Sequence, residues 1–382
     1  MMPPFGNDPG VDFVTDLISP RFGDSGLGAS RRLKPGQRQA LKEVMEQIES
    51  GTWTFEAVPC PCGGRRFRVV CLQDRFGIPC PVSSCRQCGL LLANPRLTEK
   101  AYGEFYRSYY RRLYMGWSPG MLFNDQRMRG WNLLQWLRNQ GESLGTGDLV
   151  LEIGAGAGGI LSAFRDSGCR VAGCDFDAAF LAHGRQQGVE LFEGGSSTLP
   201  YKGQARLVLM NHVFEHTFRP LEELATIQEL LRKDGRLFIE VPGIRGEICQ
   251  YKRGGHFLYD FRDFTSNAHT YHFDQPDLIR VAGLGGFAAV KCDEQIRGIF
   301  HPAPVVAPWS TAVVSDAADP SLAQVERLRA YEARRKAIKW FYRPAYWGHV
   351  AAHESLRATL KGLRLLSLVK KLKACLTRGP AR

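Results

Sequence analysis

The segment LVLEIGAGAGGIL, residues 149–161, constrains this chain more than any other part of it. An apolar run ends at Ile153, glycines follow at 154, 156, 158 and 159, and helix-forming residues begin directly afterwards. Glycine allows a backbone to approach a ligand closely, and the helix N-terminus behind it favours negative groups. A strand, a tight turn and a helix in that order form the first unit of a parallel α/β sheet. The rhythm continues downstream. It predicts strands near 148–153, 170–175, 189–192, 206–211, 236–241 and 287–292, and helices near 158–167, 177–187, 219–233 and 275–283. The expected fold class is therefore α/β, a Rossmann-like doubly wound sheet.

Two ligands compete for such a turn. Gly154, Gly156 and Gly159 satisfy the dinucleotide pattern, and Asp175 lies 21 residues past Gly154, where that fold keeps its ribose-binding acid. An NAD-dependent oxidoreductase is thus one reading. Glu152, at the strand end just ahead of the glycines, argues for another. A carboxylate is a poor neighbour for a pyrophosphate and a good one for a ligand bearing an ammonium and a sulfonium, as S-adenosylmethionine does.

Read in order, LEIGAGAGG, VAGCDFD, MNHVFEH and GRLFIEVPG resemble the successive motifs of class I S-adenosylmethionine-dependent methyltransferases, over about residues 60–292. The resemblance implies that Glu152 and the backbone around Gly154, Gly156 and Gly158 hold the methionine portion. It further implies that Asp175 takes the ribose hydroxyls, that Ser197, Thr198 and Leu199 border the adenine, and that Asn211 belongs to the same cofactor site. One departure stands out: Arg206 occupies the start of the fourth strand, where relatives often carry Asp.

Five of the nine histidines, His212, His216, His256, His269 and His272, fall within 212–272. His212, Glu215 and His216 spell HxxEH, a metallopeptidase spacing when it lies on a long helix. Here it follows the apolar strand RLVLM at the sheet's carboxyl edge and meets Pro220 within four residues, which leaves no room for such a helix. Methyl transfer needs its partners aligned and one proton removed, and imidazole suits the second task. His216 and His269 are the candidate general bases, with Glu215 and His212 beside them; the competing reading makes each a structural histidine satisfied by hydrogen bonds. Some quinone O-methyltransferases carry a comparable acid and histidine pair that holds a divalent metal.

Cys60 and Cys62 (CPCGG) and Cys85 and Cys88 (CRQCGL), with 22 residues intervening, supply four soft ligands in two glycine-ended turns, the pattern of a tetrahedral structural zinc site. The first pair is CxC where CxxC is commoner, so either the turn is shortened or Cys71 or Cys80 replaces a ligand. Such a module followed by ANPRLTEKAYGEFYRSYY resembles the N-terminal part of methyltransferases acting on sugars and natural-product intermediates.

The formal charge of +12 is confined to one end: from residue 320 onward, fifteen Lys or Arg face three acids, which accounts for the whole excess. The remainder is neutral, so no stable nucleic-acid partner is expected. Leu365, Leu368, Val369, Leu372 and Leu376 share a helix face opposite basic residues, which suits either docking on the protein itself or peripheral contact with an anionic membrane. No apolar run is long enough to span a bilayer, and the start has no signal core, so a cytosolic protein is expected. The expected organisation is an arm without structure over 1–33, a helix and zinc module over 34–116, the cofactor-binding catalytic domain over 117–300, and a linker with a basic helical tail over 301–382. The expected activity is methyl transfer to oxygen or carbon of a small, sugar-containing acceptor. The competing non-enzymatic reading is a zinc and nucleic-acid binding protein on a methyltransferase fold, supported by Arg206 and the tail.

Overall fold

The computed structural model describes residues 10–23, 28–30, 32–114, 116–244, 261–294, 296–306 and 319–337. His256 and the amphipathic face of the tail lie outside them. The chain divides into two compact units, Met1–Ala330 and Tyr331–Arg382. Of the second, residues 331–337 are described; they are helical, and Arg335 and Glu332 form a buried ion pair there (2.8 Å).

The first unit opens with β1 (Asp12–Thr15) and helix α1 (Pro35–Glu49), followed by β2 (Phe55–Glu56), β3 (Arg66–Gln73), β4 (Pro79–Cys85), β5 (Leu91–Ala93) and β6 (Arg96–Leu97). The expected structureless arm is therefore ordered by residue 12: β1 lies parallel to β3, with Phe13 stacked on Phe67 (ring centroids 5.7 Å). Four residues are too few to show a period, and their partner is more than fifty positions away. α2 (Glu99–Phe105), a π-helical turn (Tyr106–Tyr110) and α3 (Arg111–Tyr114) lead into the long α4 (Pro119–Asn139).

The second sheet then forms as the glycine turn demands. Its elements are β7 (Leu149–Ile153), α5 (Gly159–Asp166), β8 (Arg170–Asp175), α6 (Ala178–Gln186), β9 (Glu190–Glu193), β10 (Ala205–Asn211), α7 (Pro220–Leu230) and β11 (Leu231–Glu240). After β12 (Tyr271–His272) and a helix over Gln275–Leu284 come β13 (Phe287–Cys292) and β14 (Arg297–Pro302). The strand order is β13-β14-β11-β10-β7-β8-β9. Strands from β11 to β9 run parallel, whereas β14 is antiparallel to both of its neighbours. An antiparallel strand inserted beside β11 departs from the all-parallel dinucleotide order. Apolar periodicity does not predict this strand, because Gly298 and His301 interrupt its apolar run.

Alternation along the strands explains the two covered faces. Val150, Leu207, Leu209 and Phe238 point to one side, where they meet Leu134 and Leu137 of α4, Phe164 of α5 and Phe180 of α6. Leu149, Leu151, Val208, Leu237 and Ile239 point to the other, against Leu224 and Ile227 of α7 and Leu278 and Val281 of the Gln275–Leu284 helix. A central parallel strand buried on both faces must be apolar at nearly every position, as β7 is. The exception is Glu152.

Cys60, Cys62, Cys85 and Cys88 pack within that second-face core. The first sheet, β1-β3-β4-β5-β12, takes its last strand from residues 271–272, beyond β11. No boundary at residue 116 therefore separates two bodies; both sheets belong to one compact unit.

α4 crosses α5 so closely that a Cβ at Gly159 would come within 2.1 Å of the Phe123 carbonyl oxygen. Gly159→Ala should cost about 1–3 kcal/mol by overpacking. Gly103→Ala, in α2 with open space around it, should be neutral or stabilising by up to about 1 kcal/mol. Urea unfolding of the two variants measures the difference, and equal midpoints would contradict this packing.

Candidate active site

The carboxyl ends of β7, β8, β10 and β11 carry one cluster of polar groups. Gly154 has φ +67°, and a Cβ there would lie 2.4 Å from Cγ2 of Val213, so the glycine turn rests directly on the turn after β10. α4 closes the loop from above: Gln126 donates to the Ala155 carbonyl (3.1 Å) and accepts from the Gly159 amide (3.3 Å).

Glu152 is 1% exposed, and its Oε2 has no hydrogen-bond partner. Burial pushes its pKa well above the usual carboxylate range, the nearby charge of Asp175 adds to this, and Arg129 of α4 opposes it. A buried carboxyl with an orphaned oxygen is costly unless a positive or donating group meets it. The ammonium of a methionine moiety is such a group. Arg129 also contacts Oδ1 of Asn211, whose amide nitrogen donates to Glu240 (3.0 Å). Sequence reasoning misses Arg129, since one arginine on a helix has no distinguishing pattern.

Asp175 sits at the end of β8. Its two oxygens accept from the Gly156 and Asp177 amides, each at 2.9 Å, which fixes the carboxylate while leaving lone pairs for ribose hydroxyls. Phe176, next to it, is 79% exposed beside Gly195, leaving an apolar face in water where a purine would lie. It too escapes the sequence reading. Ser197 and Thr198 are exposed, whereas Leu199 turns into the core, so it does not border an open cleft as expected. Gly158, in the left-handed region, is the N-cap of α5. Glu152, Gly154, Gly156, Gly158, Asp175 and Asn211 thus do converge. The residues fit S-adenosylmethionine: a carboxyl for the ammonium, an acid for the ribose and an aromatic wall for the base.

The histidine segment does not form a helix of peptidase type. His212 has φ +55°, and Phe214–His216 is a single 3₁₀ turn. Both imidazoles still meet Glu215, His212 Nδ1 at 3.6 Å and His216 Nε2 at 3.7 Å from Oε1. His216 Nδ1 lies 2.6 Å from the Ala268 carbonyl oxygen, which only accepts; that nitrogen therefore carries the proton. The Tyr106 hydroxyl, from the π turn, is 2.5 Å from the same nitrogen, and Tyr106 stacks on Tyr110 (4.5 Å). π-helical turns recur at functional sites. The tyrosines' four-residue spacing reads from sequence as ordinary helix packing.

His269 and His272 reach the site on a segment pinned from both sides. Thr270 donates its amide (2.8 Å) and its hydroxyl (3.0 Å) to the Glu215 carbonyl, and the buried Asp74 accepts from the Asn267 amide (3.1 Å). The rings of His216 and His269 are 4.8 Å apart. Burial, helped by the neighbouring His216, His272 and Arg75, holds His269 well below the usual histidine pKa, and burial brings His272 to about 4. Arg206 pairs with Glu142 (3.0 Å), so its charge is absorbed by a structural contact at the sheet's opposite end.

The four knuckle cysteines also converge. Cys60 and Cys88 sulfurs are 3.6 Å apart, Cys62 and Cys85 sulfurs 3.7 Å, and all four lie within 4.8 Å of one another. A tetrahedral ion with bonds of ~2.3 Å to sulfur separates its ligands by ~3.8 Å. Cys71 and Cys80 instead face the Gln73 and Ser266 carbonyls, so the first turn is shortened and no substitute ligand enters.

A parallel sheet closed by an antiparallel strand, with a glycine turn flanked by two acids, defines a Rossmann-like domain of the class I methyltransferase type. Residues 126–291 match the family described as a methyltransferase domain. The C-methyltransferase NovU of Streptomyces niveus is 30% identical over 170 residues, covering 43% of this chain and 38% of that protein. The match thus spans about two fifths of the relative's length. Among solved structures, 1,6-didemethyltoxoflavin-N1-methyltransferase of Burkholderia thailandensis is 19% identical, covering 55% of this chain and 93% of its own, with a TM-score of 0.38. The PH0226 protein of Pyrococcus horikoshii is 14% identical, covering 52% and 98%, also with a TM-score of 0.38.

The raised pKa of Glu152 makes cofactor binding a proton-linked event. A cation favours the ionised carboxylate, so binding should release a proton, and affinity should rise with pH until the free site is itself ionised. Calorimetry in buffers of different ionisation enthalpy should detect that proton in the native protein and not in Glu152→Gln, whose affinity should fall about tenfold or more, the worth of one charge-assisted contact. Identical proton counts in the two would remove Glu152 from the site.

Proposed function

We propose that the whole chain is a methyltransferase that moves a methyl group from S-adenosylmethionine to carbon or oxygen of a small, sugar-containing acceptor in the cytosol. The observation that carries the cofactor assignment is Glu152, buried with one oxygen unpartnered against the glycine turn. Bound there, S-adenosylmethionine supplies an electrophilic methyl on a sulfonium. Glu152 meets the ammonium, Asp175 the ribose, and Gln126 holds the loop that shapes the pocket.

The acceptor's side of the reaction belongs to Glu215, His216, His269 and His212. This cluster adjoins the glycine turn through Val213. Its groups orient the acceptor and take charge of the proton it loses, a contribution of roughly 10²–10⁴-fold in such enzymes. The name of the Streptomyces relative favours carbon as the methylated atom, since enolisable sugars lose a proton from carbon beside a carbonyl. The tyrosines of the π turn, Tyr106 and Tyr110, wall the acceptor side with aromatic faces that suit a sugar ring.

We further assign zinc to Cys60, Cys62, Cys85 and Cys88, in a structural role, because four thiolates leave no coordination position for chemistry. A reducing cytosol keeps such thiols available for metal. Since these cysteines share the core of the catalytic domain, stripping the ion should loosen more than the knuckles. A strong chelator, or Cys85→Ser, should lower the melting temperature of the whole first unit and remove one zinc per chain by elemental analysis. An unchanged melting curve on complete loss of zinc would contradict this role.

The activity is tested by incubating the protein with S-adenosylmethionine and a panel of nucleotide-linked ketosugars, while following S-adenosylhomocysteine release and the mass of each sugar. A sugar heavier by one CH₂ is expected. His216→Ala should lower turnover about 10²-fold or more while cofactor affinity stays within about twofold. Methylation of nucleic acid with no sugar modified would overturn the reading.

A further inference from the structure

We infer that Arg129 receives the carboxylate at the amino-acid end of the cofactor, so that the site selects an α-amino acid over a plain amine. The inference rests on the methyltransferase reading above and goes beyond it, since that reading gives the methionine portion no partner for its negative charge.

The position of Arg129 follows from the packing of α4. Gln126 and Arg129 are three residues apart and so share a face of that helix. Gln126 holds the glycine turn through the Ala155 carbonyl and the Gly159 amide. Gly130, the next residue, is pressed on α5: a Cβ there would lie 2.8 Å from the Ile160 carbonyl oxygen, so the backbone carrying Arg129 is held close to the sheet. Glu152 and Asn211 lie near the carboxyl ends of the neighbouring strands β7 and β10, and the guanidinium meets both. Nη2 donates to Oδ1 of Asn211, and the positive charge opposes the upward shift that burial imposes on Glu152. Asn211 is itself oriented by its amide nitrogen, which donates to Glu240 (3.0 Å) and leaves Oδ1 facing Arg129.

That contact leaves most of the guanidinium unused. Arginine carries several N–H donors in a fixed fork. Asp125, one turn back, stays 4.0 Å from Nη1, beyond a hydrogen bond, and among the described residues Asn211 is the only group to which Arg129 donates. The side chain is 40% exposed, so its spare donors are open to a ligand. The charges around the methionine end ask for such a group. An amino acid brings an ammonium and a carboxylate on one carbon. Glu152 answers the ammonium, but the carboxylate then enters a neighbourhood that already holds Glu152, Asp175 and Glu240, where without a partner it would be repelled. Arg129 is the cation whose charge registers at Glu152, and a planar fork of N–H groups matches the two oxygens of a carboxylate. Binding thus exchanges the partial compensation that Arg129 gives Glu152 for two separate pairs, carboxylate with ammonium and guanidinium with carboxylate. A ligand bearing the ammonium alone makes the first pair and meets Arg129 as a like charge.

The test compares two ligands on the full-length protein: S-adenosylhomocysteine and its decarboxylated counterpart, whose amino-acid end is a plain aminopropyl chain. Calorimetry measures each against the native protein, Arg129→Gln and Arg129→Lys. We expect the native protein to prefer S-adenosylhomocysteine by roughly tenfold or more, the worth of a two-pronged, charge-assisted contact. Arg129→Gln, which keeps a donor for Asn211, should lose that preference by weakening S-adenosylhomocysteine alone, with the decarboxylated ligand at its native affinity or tighter. Arg129→Lys, which keeps the charge and loses the fork, should retain part of the preference. A merely structural role for Arg129 would weaken both ligands alike. That outcome overturns the inference, as does a preference that survives intact in Arg129→Gln or is absent from the native protein. Should Arg129→Gln misfold, the native preference and its reduction in Arg129→Lys decide. If the native protein binds neither adenosyl ligand, the methyltransferase reading itself fails; if it binds both equally, that reading stands and the role of Arg129 falls.

Discussion

A carboxyl group walled off from water at the end of β7 is the constraint around which the rest is arranged. Parallel strands in the middle of a sheet are buried on both faces, and an acid there is expensive unless something outside the protein meets it. Glu152 occupies that position, with Oε2 unsatisfied. Its surroundings hold the site in place: the turn at Gly154 packs on Val213, Gln126 clamps the loop through two backbone groups, and Arg129 supplies a countercharge that only partly offsets burial. Burying this group in the free protein sacrifices stability, which cofactor binding recovers. Such a cost is typical of sites prepared for one ligand charge.

The acceptor side depends on a second kind of constraint, backbone bonds between segments far apart in the chain. The 3₁₀ turn carrying Glu215 and His216 and the stretch carrying His269 are joined by Thr270, whose hydroxyl also reaches the Thr217 carbonyl (2.7 Å). That stretch continues as β12, the last strand of the first sheet, and is anchored below by Asp74. The cysteine-bearing sheet and the acid–histidine cluster are therefore mechanically one piece. The π turn closes the arrangement, placing Tyr106 against His216, while Arg111 just beyond it pairs with Asp177, the N-cap of α6 (2.5 Å). The segment from the π turn through α3 thus touches both His216 and the neighbour of Asp175.

Much of this arrangement is legible in the amino-acid sequence. The turn, Asp175 and six of the seven strands of the second sheet follow from apolar periodicity and glycine placement, because local patterns dictate local elements. The cysteine pairs are legible for the same reason: their ligand spacing is a local property. What escapes are features made by distant partners. β1 and β12 are too short to carry a period, and β14 is interrupted by Gly298 and His301. Leu199 looks like a cleft residue by position, yet an apolar side chain at the end of a 3₁₀ turn turns inward. Arg129 and Phe176 matter through what faces them, which no single-residue signal announces. The unified unit in place of two domains has the same origin, since the pairing of Leu92 with Tyr271 joins strands far apart in the chain and has no sequence signature.

The central claim is that the cleft selects a cationic, amino-acid-bearing nucleoside over a dinucleotide. Thermal unfolding of the native protein in the presence of S-adenosylhomocysteine, S-adenosylmethionine and NAD bears on it without any assumption about the acceptor. A saturable rise in melting temperature with the first two and none with NAD is expected. A rise with NAD, or no response to either adenosyl compound, would refute the claim.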